Sequence, residues 1–407
     1  MTARVRPIFL ALILGALSNP TSSFATSREK PSVGEAAGDQ DISPFYRWSQ
    51  HLPSRPGRML RSEALPPALT PRQASSAMRI LYTSTDARWH GGIIPASGTL
   101  YLPRGKRPRA GWRLVIWAHG TLGVADSCAP SWTGANPRDR NYISRWLDEG
   151  YAVMAPDYQG LGTVGPHPYL NWQAEGRSVL DAARAALRSG HGIANNLIIT
   201  GQSQGSGAAL GAARQAATYA PELGVRGAIA TAVVTTFPEE NEPISQKSPA
   251  LAPYFTVYRM MTGGLPDGSP SPESFLTEKG RILLEAARTR CDSRAVAEAN
   301  GITLDSAFAV PIGSIEAILG PMGAMDPFRT TLPLMIGIGL SDETIPPERQ
   351  RLALRTMCRA GNRVRFRGYE GARHGETLPR SANDAVAFAR AVMDGNLILS
   401  DCSQALK

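Results

Sequence analysis

Residues 197–217 read LIITGQSQGSGAALGAARQAA. A short apolar run, LIIT, breaks into a glycine-serine cluster and then into small residues rich in alanine. The run suits a strand buried on both faces, and the small residues after it suit a helix entered through a tight turn. A G-x-S-x-G match alone is weak, but a strand before it and a helix after it form the strand-turn-helix setting of a nucleophile elbow. Ser203 would then sit on a strained turn, with Gly201 and Gly205 placed where a side chain would strike the strand or helix packed beside it. A plain helix cap with no chemistry explains the same small residues equally well. Gly207, Ala208, Gly211 and Ala212 continue the pattern at helical spacing, which predicts a helix lying close to a sheet.

The order of elements around this stretch is regular. MRILYTST (78–85) and GTLYLP (98–103) alternate as antiparallel strands do, and RLVIWAHG (113–120) reads as a buried strand. A helix near RNYISRWLDEG (140–150), the strand YAVMAPDY (151–158) and a helix near RSVLDAARAALRSG (177–190) lead to the elbow. After GAIATAVVTT (227–236) the rhythm lapses, and it returns with the strand LPLMIGIGL (332–340), a helix from 347, the strand RVRFRGY (363–369) and a last helix from 381. Alternating strands and helices predict an α/β fold, a mostly parallel central sheet with helices on both faces. Such sheets carry their working residues at the carboxyl ends of the strands. The division expected is a leader at 1–25, a first core part at 26–236 with an extended arm to about residue 70, a mainly helical cap at 237–325, and a second core part at 326–407.

A serine hydroxyl needs a general base, usually a histidine held by a carboxylate, and in this fold class the chain order is serine, acid, histidine. Of the six histidines only His374 follows Ser203, in the loop GYEGARHGETLP (368–379) after the last strand. Asp342 directly follows the strand LPLMIGIGL, with Glu343 its close competitor and Asp326 at the wrong end of that strand. A helix-capping role for Asp342 is the alternative. Donors for a tetrahedral oxyanion are expected from the backbone N–H of Gln204 and from Thr121, with His119 a structural brace for the loop after its strand. No HExxH or carboxylate-histidine cluster suggests a metal, and GxGxxG is missing after the early strands, so no cofactor is expected.

The first 25 residues carry two arginines, an apolar run and small residues before Ala25, the pattern of a secretory signal peptide. Removing them takes Arg4 and Arg6 and lowers the formal charge from +9 to +7. The arginines are scattered and lysine occurs at five positions, which argues against a nucleic-acid partner. Cys128, Cys291, Cys358 and Cys402 lie far apart in a chain expected to be exported, so two disulfides are the leading reading. Three pairings are open. The preferred one joins Cys358 to Cys402, fixing the C-terminal tail, and Cys128 to Cys291, fixing the insertion to the core.

Four stretches, WAHGTLGVADSCAPS (117–131), GYAVMAPDYQGLGT (150–163) with HPYL (167–170) after it, GQSQGSGAAL (201–210) and YAPEL (219–223), resemble the secretory lipase family that includes Candida lipase A. The resemblance runs from PFYRWSQ (44–50) to the final helix. It implies an α/β-hydrolase core with a helical cap, a Ser203, Asp342, His374 triad, the same two disulfides, and hydrolysis of carboxylic esters including acylglycerols, with an ester or lipid substrate met at a lipid–water interface. A short-chain carboxylesterase without interfacial activation and a related acyltransferase are the alternatives. The elbow departs from many relatives at Gln202 and Ser206, which leaves the pocket's shape open; oligomeric state is not read from the sequence.

Overall fold

The computed structural model describes residues 38–89, 91–234 and 252–406. The expected leader at 1–25, the start of the arm, and the cap residues up to Leu251 lie outside the described residues.

Nine strands form one sheet: β1 (Met59–Ala64), β2 (Ala74–Thr85), β3 (Ile93–Pro103), β4 (Trp112–Ala118), β5 (Ala152–Pro156), β6 (Ile193–Gln202), β7 (Val225–Thr231), β8 (Leu334–Gly339) and β9 (Val364–Tyr369). Their order is β1-β2-β3-β5-β4-β6-β7-β8-β9. The first three strands pair antiparallel, as do β3 and β5, and from β5 to β9 every pair is parallel. Leu114, Val115, Ile116, Leu197, Ile198, Ile199, Leu334 and Ile336 are fully buried in the central strands, as their unbroken apolar runs require of a sheet covered on both faces. The arm holds a strand that its mixed composition hides: β1 runs along β2 as the sheet's edge.

The covering helices start where the chain supplies caps. After the short α1 (Pro130–Thr133), α2 (Pro137–Asp148) opens on Asn136, which accepts from Asp139 N, with proline at its first position; α3 (Trp172–Leu187) opens on Asn171, which accepts from Ala174 N. Next comes α4 (Gln204–Tyr219), which packs against α3. Gly211 serves this helix pair and not the sheet: a Cβ there would stand 2.2 Å from the Trp172 carbonyl oxygen of α3.

Between β7 and β8 the described part of the insertion is helical: α5 (Pro253–Arg259) running into a π-helical turn to Gly264, then α6 (Glu278–Thr289), α7 (Ser293–Ala299), α8 (Leu304–Ala307) and α9 (Ile312–Gly323). These helices bury a core of their own, including Val257, Tyr258, Met261, Leu283, Leu284, Ile315 and Leu319. In α5 and the π-helical turn after it, Val257, Tyr258 and Met261 are used for packing, and Tyr254 and Phe255 stay partly exposed. The insertion is fastened by Arg88, which donates to the Gly263 and Leu265 carbonyls, by Trp172 Nε1 donating to the Ala324 carbonyl at 2.6 Å, and by the Cys128–Cys291 disulfide. After β8 come α10 (Pro347–Arg359), α11 (Thr377–Met393) and α12 (Cys402–Ala405), with Cys358 joined to Cys402.

The CAPS and DYQGLG blocks meet at a buried carboxylate. Asp157 accepts from the hydroxyls of Ser97 and Ser131 and from Ser131 N, while Tyr46 of the arm bonds Ser131 Oγ and Arg79 donates to its carbonyl. Burial pushes the Asp157 carboxyl above its ordinary range against the pull of these hydrogen bonds. Asp157→Ala leaves the buried Ser131 N–H without its acceptor and takes the stronger acceptor from the Ser97 and Ser131 hydroxyls, so chemical denaturation is expected to report a loss of about 2 kcal/mol or more.

Candidate active site

The turn between β6 and α4 is closely packed. Ser203 has φ +58° and ψ −125°, a conformation costly for any residue with a side chain. Two contacts enforce it. A Cβ on Gly205 would lie 1.9 Å from the Ala118 carbonyl oxygen at the end of β4, and one on Gly201 would lie 1.9 Å from the Gly205 carbonyl oxygen. The first turn of α4 is thus pressed onto two strands, and Ser203 N is tied to the Thr231 carbonyl at 3.0 Å.

Ser203 occupies the N-cap position of α4, yet its side chain makes no capping hydrogen bond. Its hydroxyl instead lies 3.0 Å from His374 Nε2. The ring's other nitrogen, Nδ1, lies 2.9 and 3.0 Å from the two oxygens of Asp342. Asp342 is fully held: Thr344 N and Ile345 N donate to Oδ1, and Gln350 Nε2 donates to Oδ2 at 3.0 Å. The carboxylate thus orders the turn before α10 and faces the imidazole, so the two roles considered for it coexist. Glu343 points differently; its carboxylate accepts from the backbone N–H of His374 at 3.2 Å and pairs with Arg373. Asp326 is exposed and pairs with Arg214.

The two residues that set the elbow apart are both structural ties. Gln202, fully buried, donates from Nε2 to the His374 carbonyl at 3.0 Å, linking the strand end to the histidine loop. Ser206 Oγ donates to the Ser203 carbonyl at 2.6 Å and accepts from Val234 N, fixing the exit of β7.

Gln204 is the first residue of α4, so its backbone N–H has no partner four residues back in the helix and joins the positive end of the helix dipole. Gly120 lies against the nucleophile turn, where a Cβ would stand 3.5 Å from Ser203 Cβ, and Thr121 is the next residue. The Thr121 hydroxyl is 2.7 Å from the Tyr169 hydroxyl. His119 is buried, with Nδ1 2.7 Å from the Gly120 carbonyl and Nε2 3.4 Å from the Asp157 carbonyl. Sequence reasoning missed the layer beneath: Glu175 and His167, both fully buried, flank the Gln204 carboxamide. No local signal marks it, because a glutamate in the first turn of an amphipathic helix that also carries Asp181 reads as solvent-facing. Among the described residues no group of three or more histidine, cysteine or acidic side chains is placed to hold a metal.

Sheet order, the turn at Ser203 and the helices inserted between β7 and β8 make up the α/β-hydrolase fold. The secretory lipase family model matches residues 130–298. A probable trichothecene esterase of Stachybotrys chartarum is 27% identical over 68% of this chain and 59% of its own length, and a probable inactive lipase of Mycobacterium tuberculosis is 28% identical over 56% and 53%. The chain thus spans little more than half the length of these relatives. The solved structure of Candida antarctica lipase A shares the fold, with a TM-score of 0.68, 21% identity, and coverage of 88% of this chain and 87% of that one. The chain is thus similar over part of its length to secretory lipases, and similar in fold to Candida antarctica lipase A.

Because Gly205 meets backbone and not a movable side chain, Gly205→Ala should cost about 3 kcal/mol or more in thermal or denaturant unfolding, or prevent folding. An alanine at exposed Gly371, in the same loop as His374 with no atom near its Cβ position but at φ +64°, should cost only about 1 kcal/mol.

Proposed function

We propose that the protein is an exported serine carboxylic-ester hydrolase of lipase type, acting on acylglycerols and other aliphatic esters through an acyl-enzyme. One observation carries the reading: the Ser203 hydroxyl leaves its capping position unused and meets an imidazole whose far side rests on a buried, fully hydrogen-bonded carboxylate. In this reading Ser203 Oγ attacks the ester carbonyl as His374 Nε2 takes its proton, and Asp342 stabilises the imidazolium that forms. The N–H groups of Gln204 and Thr121 receive the oxyanion, each worth about 3 kcal/mol of barrier. His374 then passes the proton to the leaving alcohol, and water, activated by the same histidine, releases the acid.

Export is supported by the apolar, arginine-led start of the sequence and by two disulfides, which persist in oxidising compartments. One relative carries the name of an inactive lipase, so the geometry around Ser203, and not the family resemblance, bears the weight of the enzymatic reading.

Initial rates on p-nitrophenyl esters of rising acyl length, below and above their solubility limit, test the substrate class. The lipase reading expects turnover to rise with octanoate and longer chains and to jump once an interface forms. A preference for acetate and butyrate with no jump would replace it by a short-chain esterase. Asp342→Asn, which leaves the ring without its carboxylate, should lower kcat by about four orders of magnitude with KM little changed.

A further inference from the structure

Both groups assigned to the oxyanion hang on one buried side chain that has no part in the chemistry of the triad. Glu175 lies in the first turn of α3 and is fully buried. Its Oε1 accepts from Gln204 Nε2 at 2.8 Å, directly behind the first donor. The same oxygen accepts at 3.0 Å from Leu170 N, a residue held at φ +62°. Leu170 closes the segment HPYL, whose Tyr169 hydroxyl meets Thr121, the second donor. His167 of that segment completes the clasp: its Nδ1 donates to the Gln159 carbonyl, and its Nε2 accepts from Gln204 Nε2 at 2.8 Å. A single amide nitrogen serving both neighbours requires His167 Nε2 to be unprotonated.

The remaining oxygen of Glu175, Oε2, is buried without a hydrogen-bond partner. A carboxylate would leave it as an uncompensated charge, whereas the uncharged acid costs far less to bury. The titratable groups that face Glu175 are His167, Tyr158 and Tyr169 from the loops after β5, while α4 presents only Gln204. Among the described residues the one basic side chain paired with it is His167, at 3.8 Å, and no arginine or lysine pairs with it. Burial accordingly pushes the Glu175 carboxyl up to about 8 and holds the His167 imidazole down to about 3.

We propose that Glu175 is a positioning residue which, in its uncharged form, locks both oxyanion donors, Gln204 through its carboxamide and Thr121 through the 167–170 segment. The inference rests on the ester-hydrolase reading of the Ser203 site. When Glu175 ionises, a buried negative charge stands behind the helix end that must receive the oxyanion. It opposes that second negative charge and draws the Gln204 carboxamide and Leu170 N toward itself. The enzyme then fails on the alkaline side, through a group other than its general base.

The test compares the purified full chain with Glu175→Gln, which has the same shape and hydrogen-bond acceptor but cannot ionise. Rates on p-nitrophenyl butyrate are followed from pH 6 to 10, with Ser203→Ala as the blank. Wild type should lose kcat above pH 8, about ten-fold one unit beyond the midpoint, with KM nearly unchanged. Glu175→Gln should keep its neutral rate through that range. Gln204→Met, which removes the carboxamide and leaves the backbone N–H, should lower kcat at every pH.

Stability supplies a readout apart from activity. A carboxyl raised from 4.5 to about 8 in the folded state favours folding at acid pH and loses that contribution as the pH climbs through about 8. The melting temperature of Glu175→Gln relative to wild type should therefore rise between pH 4.5 and 8 and level off above it. Wild type inactive at every pH would sink the esterase reading and this inference with it. An active wild type whose alkaline loss persists in Glu175→Gln, or a melting difference flat with pH, would overturn this inference alone.

Discussion

The contact between the first turn of α4 and the end of β4 is the constraint on which the rest of the site depends. Gly205 lies so close to the Ala118 carbonyl that no side chain fits between them, and this forces Ser203 into a backbone conformation with positive φ. In that conformation the hydroxyl cannot fold back to cap its own helix, and it points toward the histidine loop. The strain at Ser203, of order 1–3 kcal/mol, persists because β4, β7 and α4 all pin the turn from outside. A looser turn would relax to an ordinary cap and give up the alignment with His374.

Around this turn the protein places buried polar side chains where most folds place apolar ones. Gln202 ties the elbow to the histidine loop, Ser206 ties it to the exit of β7, and Asp157 gathers the segment after β4, the end of β5 and the N-terminal arm. Each of these groups would be costly to bury unpaired, so each fixes loops that the sheet alone would leave free to shift. The cap joins the same system through Tyr169, which meets Thr121 by its hydroxyl while its ring packs against Phe255 and Tyr258 of α5.

The parallel core was legible because its strands are unbroken apolar runs alternating with helical stretches, although the helix expected from 140 begins at Pro137, where Asn136 caps it. The choice of His374 and Asp342 came from chain order and from strand ends, and the structure brings His374 beside Ser203 and Asp342 beside His374. Other features were not legible for physical reasons. Edge strand β1 alternates weakly and sits in a polar arm, so its pairing with β2 is decided by register across the sheet and not by local pattern. Gly211 reads as a sheet contact, yet the partner it faces, α3, is set by helix packing. Glu175 is the clearest case: one acidic residue in an amphipathic helix looks like a solvent-facing side chain. Its role depends on segments 167–170 and 204, which only the folded chain brings together.

The central claim is that Ser203 is a nucleophile activated by His374. The most direct measurement is covalent labelling of the folded protein at neutral pH by a fluorophosphonate, read by peptide mass spectrometry. The account predicts one adduct, on the peptide bearing Ser203, absent in Ser203→Ala and slowed by orders of magnitude in His374→Ala. Failure of the folded wild-type protein to label, or labelling at the same rate without His374, would contradict it.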